Sequence, residues 1–482
     1  MKKYSFLGPL LAVVFPYFVF EVFHSGLFKD WVISMPKGHF YMVSLVSILA
    51  SIFAIAVGVA GRRIRNIKIS FLSLSFLSLG IMFSIHGLST PHFILGISDL
   101  PGIAAQLSMI LATFWIYLSS IPSDNPIVEF FTRVQGYLVP VWTVALSVVC
   151  LMLMMNDHIV HFLPLNSKPL NIILTCVTLL LNGVTIYRYY QSYRFTRFPL
   201  QLAIVYSSGW LLVSQLIMVR GVLWSFSWWI YHFLLLAAMI VMMIGLVKQY
   251  AVKGTLSESI RSLFTNDPIE RITNSIGPSV KALVTATDKK DAYTAGHTFR
   301  VTMYALKLAE ELHLNPEQQR AIVQGGLVHD VGKISVPDPI LNKPGKLSPD
   351  ERRLIERHPI DGYEMCRGLG FMKEELGIIR SHHEKWDGSG YPDKLKGKNI
   401  PYFARIMAVV DVYDALTSER SYRKAWEHAE AMKFITDNKG SHFDPECVHA
   451  WEQLCIRNPS VYQYPAHTFK DQPTIRKISS IY

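Results

Sequence analysis

From the N-terminus to Tyr250, apolar runs of about twenty residues recur, each long enough to cross a bilayer as a helix. They fall near 5–23, 38–60, 69–88, 102–121, 134–155, 170–187, 200–219 and 226–247. No other feature limits the fold as strongly. In hydrocarbon the backbone must satisfy its own hydrogen bonds, and runs of this length do so as helices. Half of the 482 residues are hydrophobic and only 17% are charged, with the apolar excess almost entirely before Tyr250. The expectation is an all-α chain whose residues 1–250 form a polytopic helical membrane domain of about eight spans. Met1-Lys2-Lys3 could open a signal peptide, but no small-residue cleavage site follows Phe23, so an uncleaved anchor is expected.

Lysine and arginine set the orientation. With the N-terminus inside, inner segments carry Lys2, Lys3, Arg62, Arg63, Arg65, Lys68, Arg133, Arg188, Arg194, Arg197, Lys248 and Lys253. Outer segments carry Lys29, Lys37, Lys168 and Arg220. An even number of spans returns the chain to the cytoplasm at Tyr250. Much of the formal charge of +11 is therefore topology signal, with a smaller part for phosphate, and no DNA partner is expected. The five cysteines show no CxxC pairing, so neither a disulfide framework nor a zinc knuckle is indicated.

On this topology His24, His39, His86, His92, His158, His161 and His232 fall near the outer face, with Glu21 just inside it. One reading has them bonded to headgroups, water or neighbouring helices, where polar residues are cheap. The other is a sensor pocket for a metal, a haem, protons or a small ligand. No HxxxH or HExxH spacing singles out a ligand set. Trp224, Trp228, Trp229 and Tyr231 beside His232 read as an interfacial aromatic belt, next to which a quinone-like ligand is conceivable. A transporter would want broken helices and paired mid-membrane charges. Prolines 9, 16 and 140 lie within spans, but apart from Glu21 there is almost no buried charge and no clear internal repeat, which favours sensing.

Residues 251–290 read as a helical connector. Asn266-Asp267-Pro268 reads as a turn and helix start, followed by an apolar stripe through Ile269, Ile272, Ile276, Val280, Leu283 and Val284. That stripe fits a dimer seam, or a helix packing on its own catalytic domain.

From 291 to 455 no alternating strand pattern appears, and the module reads as all-helical, with a polar tail over 456–482. A stripe over Thr298–Leu312 begins after Gly296-His297. Asn315-Pro316-Glu317 opens a helix that runs into His329-Asp330-Val331-Gly332-Lys333. Ser348-Pro349-Asp350-Glu351 is a capping-box start leading to Arg357-His358-Pro359. A run from Lys373 ends in His382-His383, before a loop set by Asp387-Gly388 and Gly390-Tyr391-Pro392. The apolar run Ile406–Leu416 carries Asp411 and Asp414 on one face, where a carboxylate is costly to bury unless paired or metal-bound. Each cluster alone is ambiguous. Five His/Asp clusters at helix ends in one domain point to divalent-metal ligation.

These residues resemble the HD-GYP family, a branch of the HD-domain metal-dependent phosphohydrolases. The likeness covers roughly 285–455 and includes Asp291 to His297, His329 to Lys333, Pro344 to Leu347, Arg357-His358-Pro359 and His382 to Pro392. It continues through Asp411 to Ser418 with Arg420 and Tyr422-Arg423, and Phe443-Asp444-Pro445. The resemblance implies hydrolysis of the bacterial second messenger cyclic di-GMP to linear pGpG and, in some members, GMP. It implies that His297, His329, Asp330 and Asp411 hold one metal, while Asp330 bridges to a second held by His358, His382 and His383. A third metal in some relatives uses a glutamate where this chain has Tyr293, so two ions are expected, with iron or manganese the usual choice. The metals would lower the pKa of a shared water and offset charge on the phosphate. With His329 and Asp330, Lys333 belongs to the implied catalytic set, its ammonium on a phosphate oxygen. Arg420 and Arg423 would contact substrate. Asp414 would accept from guanine or orient a ligand, and Tyr391 would pack on a base or shape its loop.

The expected protein is a cyclic di-GMP phosphodiesterase of the bacterial inner membrane, with N-terminus and catalytic domain cytoplasmic and a membrane or outside signal tuning it. The lipid bilayer, a second copy of the chain and GGDEF-type proteins at the Gly-Tyr-Pro loop are the expected partners. Two alternatives stand beside it: a signalling adaptor with vestigial catalysis, which would be expected to have lost a metal ligand, and a hydrolase of another cyclic dinucleotide.

Overall fold

The computed structural model describes residues 7–64, 66–90, 99–122, 125–155, 165, 167–264, 278–290, 296–343, 345–419 and 424–462. The chain divides into two units, residues 1–265 and 266–482. Among the described residues there is no β-strand, only isolated bridges between Val32 and Ser225 and between Lys439 and Phe443.

Among its described residues the first unit contains eight helices long and apolar enough to cross a membrane, at the positions read from the sequence. They are α1 (Leu7–His24), α2 (Pro36–Ile64), α3 (Ile67–Leu88), α4 (Leu100–Ser120), α6 (Gln135–Met155), α7 (Leu170–Thr196), α8 (Pro199–Arg220) and α9 (Phe226–Lys253), with a short α5 (Pro126–Arg133) between α4 and α6. Helix α3 is enclosed by α2, α4 and α6. Its serines make that possible: Ser73 and Ser75 donate to the carbonyls of Ala54 and Ala112, each at 2.8 Å, while Ser47 of α2 donates to Gly80 at 2.7 Å. Small residues let backbones approach, and their hydroxyls find partners without water. Glu21, the one acid expected within a span, pairs with Arg220 of α8.

Two departures from the sequence reading follow from packing, and the connector takes one of its two expected forms. Trp228, Trp229 and Tyr231 do not form an interfacial belt. They are buried, because α9 turns them onto His39, His86 and His232. The first unit also extends past Tyr250. After Gly254 (φ +76°), a short α10 (Leu256–Arg261) packs back on α2 and α9, burying Ile260, Leu263 and Phe264. In the connector, Asn266, Asp267, Ile269, Ile272 and Ile276 lie outside the described residues. Helix α11 (Pro278–Lys290) buries Val280 and Val284, packs on a 3-10 turn at Val331–Ser335, and has Lys290 donating to the Ile334 carbonyl at 2.6 Å. That part of the stripe packs on its own domain.

The second unit continues with α12 (His297–Glu311), α13 (Pro316–Leu327), α14 (Asp338–Leu341), α15 (Pro349–Ile355), α16 (His358–Arg367), α17 (Lys373–Ser381), α18 (Tyr402–Thr417), α19 (His428–Asp437) and α20 (Pro445–Arg457). Its helix starts are chemically marked. Asn315 with Gln318, and Ser348 with Glu351, close reciprocal capping boxes, while Asp444 accepts from the Glu446 amide. Helices α12, α13, α17 and α18 pack around buried Val301, Ile322, Ile378 and Val409, and Tyr304, Tyr413 and Trp451 stack edge-on beneath them. Replacing the Asn315 cap by alanine is expected to cost about 1 kcal/mol, read as a lower denaturant midpoint of the second unit's cooperative unfolding in the intact chain.

Candidate metal centre

Four of these elements end at one place, and a fifth passes it. Helix α12 begins on His297 after Gly296 in the left-handed region (φ +84°), and α13 ends just before His329-Asp330. Helix α16 starts on His358, α17 ends against His382-His383, and α18 carries Asp411 and Asp414. Helix ends suit the task because the chain changes direction there, so adjacent side chains can point to one centre.

Asp330 is that centre. It is 4% exposed, and its two oxygens face two groups of imidazoles. Oδ1 lies 3.2 Å from His358 Nε2 and 3.8 Å from His382 Nε2. Oδ2 lies 3.4 Å from His329 Nε2 and 4.0 Å from His297 Nε2. Two sets of possible metal ligands therefore share this residue: Asp330 with His358, His382 and His383, and Asp330 with His297 and His329. Asp411 Oδ1 adds to the second set, 3.3 Å from His297 Nε2.

The proton positions favour metal binding. His329 Nδ1 donates to the Gly326 carbonyl at 2.6 Å, and His358 Nδ1 to that of Ile355 at 2.7 Å. His382 Nδ1 donates to Ile379 at 3.0 Å. With Nδ1 protonated, each Nε2 turns a lone pair inward, as in histidines that ligate metals. Buried His329 Nε2 finds no hydrogen-bond partner in the protein, so these residues fit a cation.

The electrostatics agree. Burial alone would raise the Asp411 carboxyl, but the hydrogen bond from His297 and the surrounding imidazoles hold it far below the carboxylate range. Burial would also raise Asp330, yet Lys333, foremost, and His329 hold it well below its usual value. Burial, then the neighbouring His358, pushes His383 down to about 3, leaving a neutral imidazole. His297 behaves oppositely. Burial disfavours its charged form, but Asp411 and Asp414 raise it to about 10.

The structure brings all seven sequence-derived ligand candidates together, and it revises the surroundings. Of the two roles expected for Asp414, its contacts show the orienting one. Arg300 grips both its oxygens, at 2.7 and 2.9 Å, and His297 Nδ1 donates to it at 2.7 Å, so its acceptors are taken and it orients His297. Arg300 escaped the sequence reading because it sits in an apolar stripe without a motif, although its place three residues after His297, on the same helix face, could have drawn attention. Lys333 Nζ lies 2.7 Å from Asp330 Oδ2, at the rim of the cluster. Tyr391 leans on His383, ring centroids 4.9 Å apart, which shapes the loop. Arg420 and Arg423 lie outside the described residues, as do Asp291, Tyr293 and Pro344.

Two glycines have no substitute. A Cβ on Gly332 would stand 1.9 Å from the His358 carbonyl oxygen, so the turn after Asp330 can touch α16 only through glycine. One on Gly390 would meet the Lys385 amide nitrogen at 2.3 Å. The Gly-Tyr-Pro loop is held from within by Glu384, which accepts from the amides of Asp393 (2.7 Å) and Leu395 (3.0 Å). From outside, Trp386 and Asp387 donate to the carbonyls of His442 (3.0 Å) and Ser441 (2.8 Å).

The HD domain family model matches residues 282–447.

Within the second unit, residues 282–447 form an HD domain.

The chain is 41% identical over 186 residues to the cyclic di-GMP phosphodiesterase response regulator RpfG of Xanthomonas campestris, covering 37% of this chain and 49% of that protein. It is 39% identical over 201 residues to a cyclic di-GMP phosphodiesterase of Pseudomonas aeruginosa, covering 41% and 48%. It is 42% identical over 151 residues to a 3'3'-cGAMP-specific phosphodiesterase of Vibrio cholerae, covering 31% and 34%. The chain spans half or less of the length of these relatives.

Asp414→Asn is expected to weaken metal retention about 10–100-fold, since it removes the group that aims His297; metal content after dialysis against graded chelator reads this out. The raised His297 also gives a pH signature. Its folded value of about 10 exceeds an unfolded value near 6.5, so it stabilises the metal-free fold fully below that lower value, and the contribution is lost as pH rises through about 10. A cation binding His297 must displace that proton. Metal loading at pH 8 should therefore release a proton that His297→Asn does not, measured by indicator dye or by calorimetry in buffers of different ionisation enthalpy.

Proposed function

We propose that this chain is a membrane-anchored phosphodiesterase that hydrolyses cyclic di-GMP to linear pGpG, with a signal at the membrane half setting its rate. The observation that carries the proposal is Asp330, whose two carboxylate oxygens are each directed at a separate imidazole group. That is the arrangement a two-cation phosphodiesterase needs. His297, His329, Asp330 and Asp411 would hold one ion, and Asp330, His358, His382 and His383 the other, with iron or manganese suited to the mixed ligand set. Bound there, the ions would supply Lewis acidity and a water of lowered pKa.

The protein's own residues do the rest. Asp414, fixed by Arg300, holds His297 in one rotamer. Backbone carbonyls hold three further imidazoles in the donor tautomer that leaves Nε2 free. Lys333 places a positive charge beside the bridging carboxylate, where a phosphodiester oxygen would approach. His329, Asp330, His358 and His382 are buried, so the floor of the site is shielded from bulk solvent. Lysine and arginine distribution supports a cytoplasmic HD domain, where nucleotide substrate is found. A complete ligand set argues against a purely adaptor role, although the exposed rim of the Gly-Tyr-Pro loop leaves room for a GGDEF-type partner.

A second reading is hydrolysis of a mixed guanine–adenine cyclic dinucleotide. It is favoured by the similarity to three relatives named 3'3'-cGAMP-specific phosphodiesterases. The full chain in detergent should be given cyclic di-GMP, 3'3'-cGAMP and cyclic di-AMP separately, with products resolved by chromatography. Faster cleavage of cyclic di-GMP supports the first reading, and faster cleavage of 3'3'-cGAMP replaces it with the second. No cleavage of any substrate by metal-loaded protein would rule out both. His329→Ala and Asp330→Ala are expected to abolish turnover and lower bound metal, since each removes a ligand that nothing else replaces.

A further inference from the structure

The membrane unit holds a second convergence of imidazoles, which the HD-domain chemistry does not use. His39 on α2, His86 on α3 and His232 on α9 are 2%, 3% and 0% exposed. His39 Nε2 lies 3.1 Å from His86 Nε2 and 2.9 Å from His232 Nε2. Hydrogen-bond bookkeeping fixes two of the three rings. The Thr90 hydroxyl donates its proton to the Gly87 carbonyl at 2.7 Å, so it can only accept from His39 Nδ1, 2.9 Å away. The Pro101 carbonyl is an acceptor, so His86 Nδ1 must donate to it across 2.8 Å.

Both rings, when neutral, therefore carry lone pairs on Nε2, and those lone pairs face each other at 3.1 Å. Two acceptors at that distance repel. A proton on His232 Nε2 would satisfy His39 but leave the His39–His86 contact unresolved, and His232 Nδ1 already lacks a partner. Protonating His39 or His86 would put a cation in an apolar interior where, among the described residues, no carboxylate pairs with any of the three rings. One metal ion accepts all three lone pairs at once.

The setting fits a resident ion. Each Nδ1 proton of His39 and His86 is tied to an oxygen, the outer contact that orients ligating histidines. The indole of Trp228 stacks on His39 (5.5 Å between centroids, 26°), and Tyr231 lies against His232 at 3.8 Å, so the rings are held in place. Metal–nitrogen bonds of about 2.0–2.1 Å put neighbouring ligand atoms about 3.3–3.6 Å apart, and the three rings each offer a nitrogen within 4.8 Å of the others, so a slight opening of the two short contacts admits an ion. All-imidazole donors without carboxylate select copper or zinc over calcium or magnesium.

We propose that His39, His86 and His232 bind one first-row transition-metal ion, copper or zinc, through their Nε2 atoms inside the membrane unit. This site stands apart from the phosphodiesterase reading, and its test reads metal, not turnover. The full chain carrying Asp330→Ala, to disable the HD-domain cluster, is stripped in detergent, loaded with Zn²⁺ or with Cu⁺ under reductant, and dialysed. Adding His86→Ala or His232→Ala is expected to lower the retained metal by about one equivalent per chain. X-ray absorption of the histidine-intact chain should show imidazole nitrogens at about 2.0 Å. Equal metal content with and without the histidines would overturn the proposal. If a histidine variant fails to fold, Co²⁺ added to the histidine-intact, Asp330→Ala chain decides. Visible d–d bands that Zn²⁺ bleaches support the site, and their absence, with the rings responding to pH alone, overturns it.

Discussion

A buried carboxylate without a partner is among the most expensive things a protein can hold, and Asp330 is buried. The HD domain is built to satisfy it. Four imidazoles and an ammonium approach its two oxygens from α12, α16, α17 and the turn after α13. Remove the central charge and those elements have no electrostatic reason to meet. The same convergence that lowers the cost of burying Asp330 produces two adjoining ligand sets, so folding and chemistry are served by one arrangement.

A second layer makes the first precise. Asp414, with Arg300 behind it, fixes His297, and backbone carbonyls fix His329, His358 and His382. The carbonyls are available because each of these histidines sits within a turn of a helix end, where backbone acceptors lack intrahelical donors. Gly332 lets the His358 backbone come close enough to bring α16 into the group.

Much of this was legible in the sequence because the marks are local. Helix starts at Asn315 and Ser348 follow from capping chemistry, and the eight spans follow from run length. Ligand identity was legible because histidine and aspartate at helix ends are unusual in such numbers. What stayed hidden depended on contacts distant in the chain. Asp414 and Arg300 are 114 residues apart, and nothing local in either marks the other. Nor could spacing show that His39, 193 residues before His232, would meet it, or that Trp228 and Tyr231 would turn inward instead of toward headgroups.

The bracing of the Gly-Tyr-Pro loop has a consequence for where the HD domain stops. Trp386 and Asp387 are anchored on the carbonyls of residues 441 and 442, and Arg405, beneath the Trp386 ring, is paired with Asp444 at the head of α20. The wall beside His383 is thus finished only after about sixty further residues have been synthesised. A ribosome that has released every ligand still has no completed pocket, and the last helix serves as its keystone.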